Sequence, residues 1–141
     1  MGIRVRAIGV VMASFVACTS PAPPVTPSGT PPGTDPGPPP VIPTTDSATL
    51  TLTNAGVAPK QVRVYLGSPL TFTNGDAFGH DIASNPLHLH TDCPELNTIG
   101  FLVPGQSRTT SAPGTVRACG FHDHTNEGDA RFYGTVFVDP R

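Results

Sequence analysis

The chain has 141 residues, enough for one ordinary domain and not comfortably for two. Ten acidic against eight basic side chains leave a formal charge of −2, which argues against a nucleic-acid partner. Charged residues make up only 13%, and Glu and Lys are scarce beside Thr, Val, Gly and Pro, a balance that favours strands and turns over helices.

Residues 1–17 read as an export address. Arg4 and Arg6 precede an uncharged run, 7–17, with the charge and length of a secretory signal and too short to span a bilayer. The run closes on Ser14-Phe15-Val16-Ala17-Cys18, which resembles the lipobox of bacterial lipoproteins with Phe15 in place of the usual Leu. That resemblance implies that Cys18 is acylated and becomes the new N-terminus, so that the protein is exported to the cell envelope and anchored to a membrane by lipid. Loss of Arg4 and Arg6 takes the charge to −4. An ordinary signal peptide with an incidental Cys is the alternative.

Residues 18–45 form a tether. Eleven of the 18 prolines lie here with three glycines and almost no large apolar residue, a composition that cannot bury a core. A Pro-rich chain is partly extended at about 3 Å per residue, so the tether holds a domain several nanometres off its anchor.

From Asp46 to Arg141 the apolar residues alternate. Leu50 and Leu52, then Val62, Val64 and Leu66, then Leu70 and Phe72 follow the period of half-buried strands. Further runs at 100–103, 107–111, 115–119 and 132–138 are separated by turn signals such as Asn74-Gly75-Asp76, Pro104-Gly105 and Pro113-Gly114. About seven short strands with no amphipathic helix predict an all-β, antiparallel Greek-key β-sandwich.

All five histidines fall in two windows of this domain: His80, His88 and His90 in the first, His122 and His124 in the second. A single core histidine is usually structural, but five clustered imidazoles point to a metal, because imidazole is the commonest metal ligand and a sandwich converges its loops at its ends. Cys93 and Cys119 lie within the same windows, leaving no other pair once lipid takes Cys18. Asp81, Asp92 and Asp123 stand beside the histidines, where each orients an imidazole N–H or is simply a solvated carboxylate.

The second window, Cys119-Gly120-Phe121-His122-Asp123-His124, resembles the cupredoxins, in which an early His is followed by a strand ending in Cys and a His two to four residues later. Residues 70–76 leading to His80-Asp81-Ile82 resemble the approach to the first ligand, and residues 113–116 the approach to the Cys. A closer likeness is to a set of bacterial exported cupredoxin-like proteins. The chain shares with them His80-Asp81, Ser84, Pro86, His90-Thr91-Asp92-Cys93-Pro94 and the whole second motif, and departs at Asn85, Leu87 and His88. The resemblance implies copper, held by His80, Cys119 and His122. The usual axial Met is missing, since Met1 and Met12 both lie in the signal, so His90, His124 or Cys93 would fill the gap, with His88 a further candidate.

Cysteine arithmetic alone allows a second arrangement, a Cys93–Cys119 disulfide with copper held by His80, His90, His122 and His124. The leading expectation is a membrane-tethered one-electron carrier with a type 1-like or His-rich copper site and a redox partner, the alternative a protein of copper storage, tolerance or delivery with the all-histidine site, the disulfide and a copper-transfer partner; either is expected to be a monomer and not an enzyme. Gly120-Phe121-His122-Asp123-His124 with Gly128-Asp129 also resembles copper-zinc superoxide dismutases, but no His follows His124 to complete such a site. No hydrolytic or nucleotide-binding arrangement is present.

Overall fold

Strand formation follows the alternation of apolar side chains, and a computed structural model describes its outcome for residues 41–141. The expected signal peptide, Cys18 and most of the tether lie outside the described residues. Ten strands appear in chain order: β1 (Thr44–Thr45), β2 (Ala48–Thr53), β3 (Gly56–Ala58), β4 (Gln61–Tyr65), β5 (Pro69–Asn74), β6 (His80–Ser84), β7 (Gly100–Leu102), β8 (Ser107–Ser111), β9 (Arg117–Asp123) and β10 (Tyr133–Asp139). Strand pairing begins at Thr44, two residues before Asp46, because Thr44 and Thr45 lie beside Arg63 and Val64 of β4.

One sheet has the order β1-β4-β10-β9-β6-β7 and the other β3-β2-β5-β8. The expectation of a purely antiparallel sandwich needs correction, since β1 with β4, β4 with β10 and β2 with β5 run parallel. The chain crosses between the sheets after β3 and again after β4, and such crossings bring sequence-distant strands together in either sense. The count exceeds seven because β1 and β3 are strands of two or three residues with no hydrophobic period to mark them, and β6, His80-Asp81-Ile82-Ala83-Ser84, carries no apolar alternation.

Between the sheets lies one core, built from the alternate residues of each strand. Leu50, Leu52, Leu70 and Phe72 face Val64, Ile82, Phe121, Val136 and Val138, all 2% exposed or less. Phe72 and Phe121 meet edge to face across the sandwich with centroids 5.2 Å apart. Two details aim this scaffold at one end. The buried Asn74 amide donates to the carbonyls of Phe78 (2.7 Å) and Leu102 (3.0 Å) and its oxygen accepts the Asp76 N–H (2.8 Å), so the turn that delivers His80 to β6 is tied to the sheet. On β9, Cys119 and Phe121 belong to the core, and Asp123 is paired with the core residue Ile82, whereas His122 is paired with Ala83 and Tyr133. Neighbouring residues of a strand point to opposite faces, so Asp123 turns inward and His122 outward.

Candidate metal centre

The segment 85–93 leaves β6 and folds back over the outward face of β9. Its backbone is pinned by Asn85 N–H to Gly120 O (2.9 Å), Asp92 N–H to Asn85 O (2.7 Å), and His90 N–H to Pro86 O (2.9 Å). The Asn97 amide adds a further tie, donating to His90 O at 2.9 Å. Both His88 and His90 sit at positive φ, 68° and 54°, a region non-glycine residues avoid unless their surroundings hold them there. Gly120 lets the loop settle this closely, because a Cβ there would overlap the Asn85 side chain.

The loop ends at Cys93, which is bonded to Cys119 in a fully buried disulfide. This corrects the expected copper thiolate: neither Cys119 nor Cys93 offers a sulfur to a metal. The pairing has a structural reason. β6 stops at Ser84 opposite Phe121, so β9 has no β6 partner at Cys119, and Cys93 occupies that gap.

Three histidines meet where the loop crosses the strand. His122 is completely buried, and its Nδ1–H donates to the Asn85 amide oxygen at 2.9 Å, which leaves Nε2 as the bare lone pair. His124, two residues on, begins a 3₁₀ turn (His124–Asn126) directly after the strand and stays on the same side. His90 arrives from the loop. Ring centroids are 5.3 Å apart for His90 and His122, 5.0 Å for His90 and His124, and 5.9 Å for His122 and His124. One ring nitrogen from each lies within 4.8 Å of the others. His90 Nε2, His122 Nε2 and His124 Nδ1 are all buried with no hydrogen-bond partner. Nitrogens on one first-row ion stand at about 2.0–2.1 Å from it, so a shift of about 1 Å closes the set on a metal.

Around these rings stand residues that the sequence pattern did not single out. Tyr133, cross-strand from His122, stacks on it at 5.7 Å, and Glu127 Oε1 lies 3.2 Å from His124 Nδ1. His88 is 70% exposed and stands outside the trio, 3.8 Å from the same Glu127 oxygen, with its ring 6.4 Å from that of His124. A 3₁₀ turn makes residues three apart neighbours, and this spacing was the one available signal for Glu127.

Burial, and then the like charge of His90 and His124, hold the His122 pKa below the ordinary 6.5. The unfolded chain therefore takes up a proton below about pH 6.5 that the folded chain resists, and metal-free protein should lose stability as pH falls from 6.5 towards the lowered value. Urea unfolding at about pH 7.5 and about pH 5.5 checks this: the midpoint is expected to be lower at the acid pH, and the difference to shrink in His122→Gln. Gly120→Ala is expected to push Asn85 away from His122 and weaken metal binding about tenfold, measured by calorimetric titration.

His80 lies elsewhere. It begins β6 on the inward face, and its Nδ1 meets Asp123 Oδ2 at 2.6 Å. The sequence-based set of His80, Cys119 and His122 is thus separated by the sheet itself, with His80 inside and His122 outside. Of the three aspartates, Asp123 orients His80 rather than one of the three histidines, Asp81 supplies a backbone N–H to Asp123 (2.8 Å), and Asp92 is exposed.

No family model matches the sequence, and no curated protein matches it. Solved structures do. A mutant plastocyanin of fern superposes with a TM-score of 0.52 at 20% identity, over 65% of this chain and all of its own. The dithionite-reduced auracyanin of the photosynthetic bacterium Roseiflexus castenholzii gives 0.52 at 18% identity, over 69% and 99%. A reduced amicyanin variant gives 0.52 at 13%, over 67% and 83%. The fold is that of the cupredoxins. Within this cupredoxin fold the strand that the motif ends at Cys119 runs four residues further, to Asp123. The strand-end place facing His80 is accordingly held by Asp123, and the place three residues on by Asn126, whose amide donates to Asp123 at 2.6 Å. Among the described residues no helix is long and apolar enough to cross a membrane.

Proposed function

We propose that this chain is a copper-binding protein that holds one ion tightly through His90, His122 and His124 and serves to store or deliver it. The observation that carries this reading is the convergence of three buried ring nitrogens from two distant segments, those of His90 and His122 without a partner and His124 Nδ1 facing the Glu127 carboxylate at 3.2 Å. A buried acceptor without a partner costs about 1–3 kcal/mol, and two of them side by side are repaid by a cation. Three imidazoles suit copper, which tops the divalent series in affinity. The disulfide supports storage or delivery over a blue carrier, because it removes the thiolate on which a type 1 ligand set depends.

When bound, copper would bring one-electron redox chemistry. The chain's own part is to hold His122 in one tautomer through Asn85, to keep His90 in place through the loop's backbone bonds, and to cover the His122 ring with Tyr133. A one-electron carrier is the second reading, favoured by likeness to a plastocyanin described in oxidised and reduced states and an auracyanin described as reduced. The signal-like residues 1–17 and Cys18 support placement at the outer side of a membrane, tethered by lipid, with a copper-transfer protein as partner.

Titration of the purified chain with Cu(II) tests the proposal. A tight equivalent that is lost in His90→Gln/His124→Gln, a pale adduct without an intense thiolate charge-transfer band, and nitrogen hyperfine structure in the electron paramagnetic resonance spectrum are expected. An intense visible thiolate band, or no tight equivalent, would overturn it.

A further inference from the structure

On the other face of the same strand end, we propose a second metal site for a divalent first-row transition ion such as Zn(II), held by His80 Nε2 and the Asp76 carboxylate. It does not rest on the three-histidine site. His80 is 1% exposed and borders a cavity of about 420 Å³ at the end of the sandwich, lined also by Asp76, Asn126, Arg131 and Phe132.

The tautomer of His80 follows from its partner. Asp123 Oδ1 accepts the N–H groups of Asp81 (2.8 Å) and Thr125 (3.0 Å), and Oδ2 accepts the Asn126 amide (2.6 Å), so both oxygens are turned towards donors. A carboxylate surrounded by donors in this way accepts the 2.6 Å contact from His80 Nδ1–H, which leaves Nε2 as the ring nitrogen available to a metal. That nitrogen is buried and has no hydrogen-bond partner. A carboxylate that orients a histidine through one nitrogen while the other binds metal is a recurrent arrangement.

Asp76 supplies the second donor. Its side chain is 8% exposed, and Oδ2 lies 3.5 Å from His80 Nε2. That is too long for a well-formed hydrogen bond, yet close to the spacing of about 3.3 Å between two donors on one tetrahedral ion. The other oxygen, Oδ1, accepts the Ala77 N–H at 2.6 Å and so fixes the carboxylate's orientation. Among the described residues Arg131 is the one Lys or Arg lining the cavity, and its guanidinium is bound to Asp129 at 2.7 Å, which leaves Asp76 as the lining carboxylate without a cationic partner of that kind. The His80 ring is backed by Phe132 at 5.1 Å, and the cavity has room for water to complete the ion's shell.

Equilibrium dialysis of the full chain against Zn(II) tests this, in a Cys18→Ser background so that the thiol outside the disulfide contributes nothing. The chain is expected to bind two ions, and Asp76→Asn to weaken one of them tenfold or more. His90→Gln/His124→Gln, which disables the three-histidine site, is expected to retain one ion and to show the His80 ring resonances shifting on Zn(II) addition. Because His80 is buried and its replacement threatens folding, Asp76→Asn is the primary variant, leaving the His80–Asp123 pair intact. Unchanged Zn(II) binding in Asp76→Asn, or no bound ion in His90→Gln/His124→Gln, would overturn the second site. One ion bound equally by the parent chain and by His90→Gln/His124→Gln, and lost in Asp76→Asn, would instead sink the three-histidine reading and leave this one standing.

Discussion

Replacing both Cys93 and Cys119 with Ser is expected to destabilise the domain by about 3–4 kcal/mol, the chain-entropy value for a loop closed across 26 residues. For a domain of this size that lowers the unfolding temperature by on the order of 15 °C. Two further effects act in the same direction. The replaced side chains are wholly buried, and two hydroxyls would stand where the core now holds sulfur. The loop would also lose its covalent stop just beyond His90, so copper affinity should fall along with stability. Thermal unfolding of metal-free and copper-loaded protein measures both. A doubly substituted chain that melts with the parent would mean that the disulfide does not hold this loop.

The second large effect is expected at His122. Its replacement by Gln removes the one fully buried member of the trio, the one whose tautomer Asn85 sets. Loss of a residue that merely orients a ligand typically costs 10–100-fold in metal affinity, so loss of His122 itself should exceed about 100-fold. Asn85→Ala is expected to fall within that smaller range, and His88→Ala to change affinity little, because His88 stands outside the trio and is exposed. The graded series His122→Gln, Asn85→Ala, His88→Ala, read by competition against a copper chelator, distinguishes a built centre from a sticky histidine-rich surface. Equal losses across the three would favour the sticky surface.

Much of the architecture was legible in the residues. Leu50 and Leu52, Val62 and Val64, and Leu70 and Phe72 all became inward positions of the strands their spacing implied. The two histidine windows do meet at one end of the sandwich, as their clustering suggested. What the sequence hid was where β9 ends. The inward row there is Cys119, Phe121 and Asp123, and a buried carboxylate breaks the hydrophobic period that marks a strand. Its compensation is His80, 43 residues away, which no local pattern reveals. Placing the strand end at Cys119 put His80 and His122 on one side, whereas four more residues of strand put the sheet between them. The sulfurs were ambiguous for a different reason: Cys-x-x-His is compatible with a thiolate ligand and with a disulfide, and only Cys93 in the gap beside β9 decides between them.

The outermost strands of the two sheets are β1 and β7 in one and β3 and β8 in the other, spanning two, three, three and five residues. Long open borders are where one copy of a β-protein stacks onto the next and begins a fibril. Here β1 and β3 are stubs, and β8, the longest of the four, carries Arg108 amid Ser and Thr. A domain crowded beside its own copies thus presents little bare backbone for them to extend, and shaking it at high concentration should raise little thioflavin fluorescence.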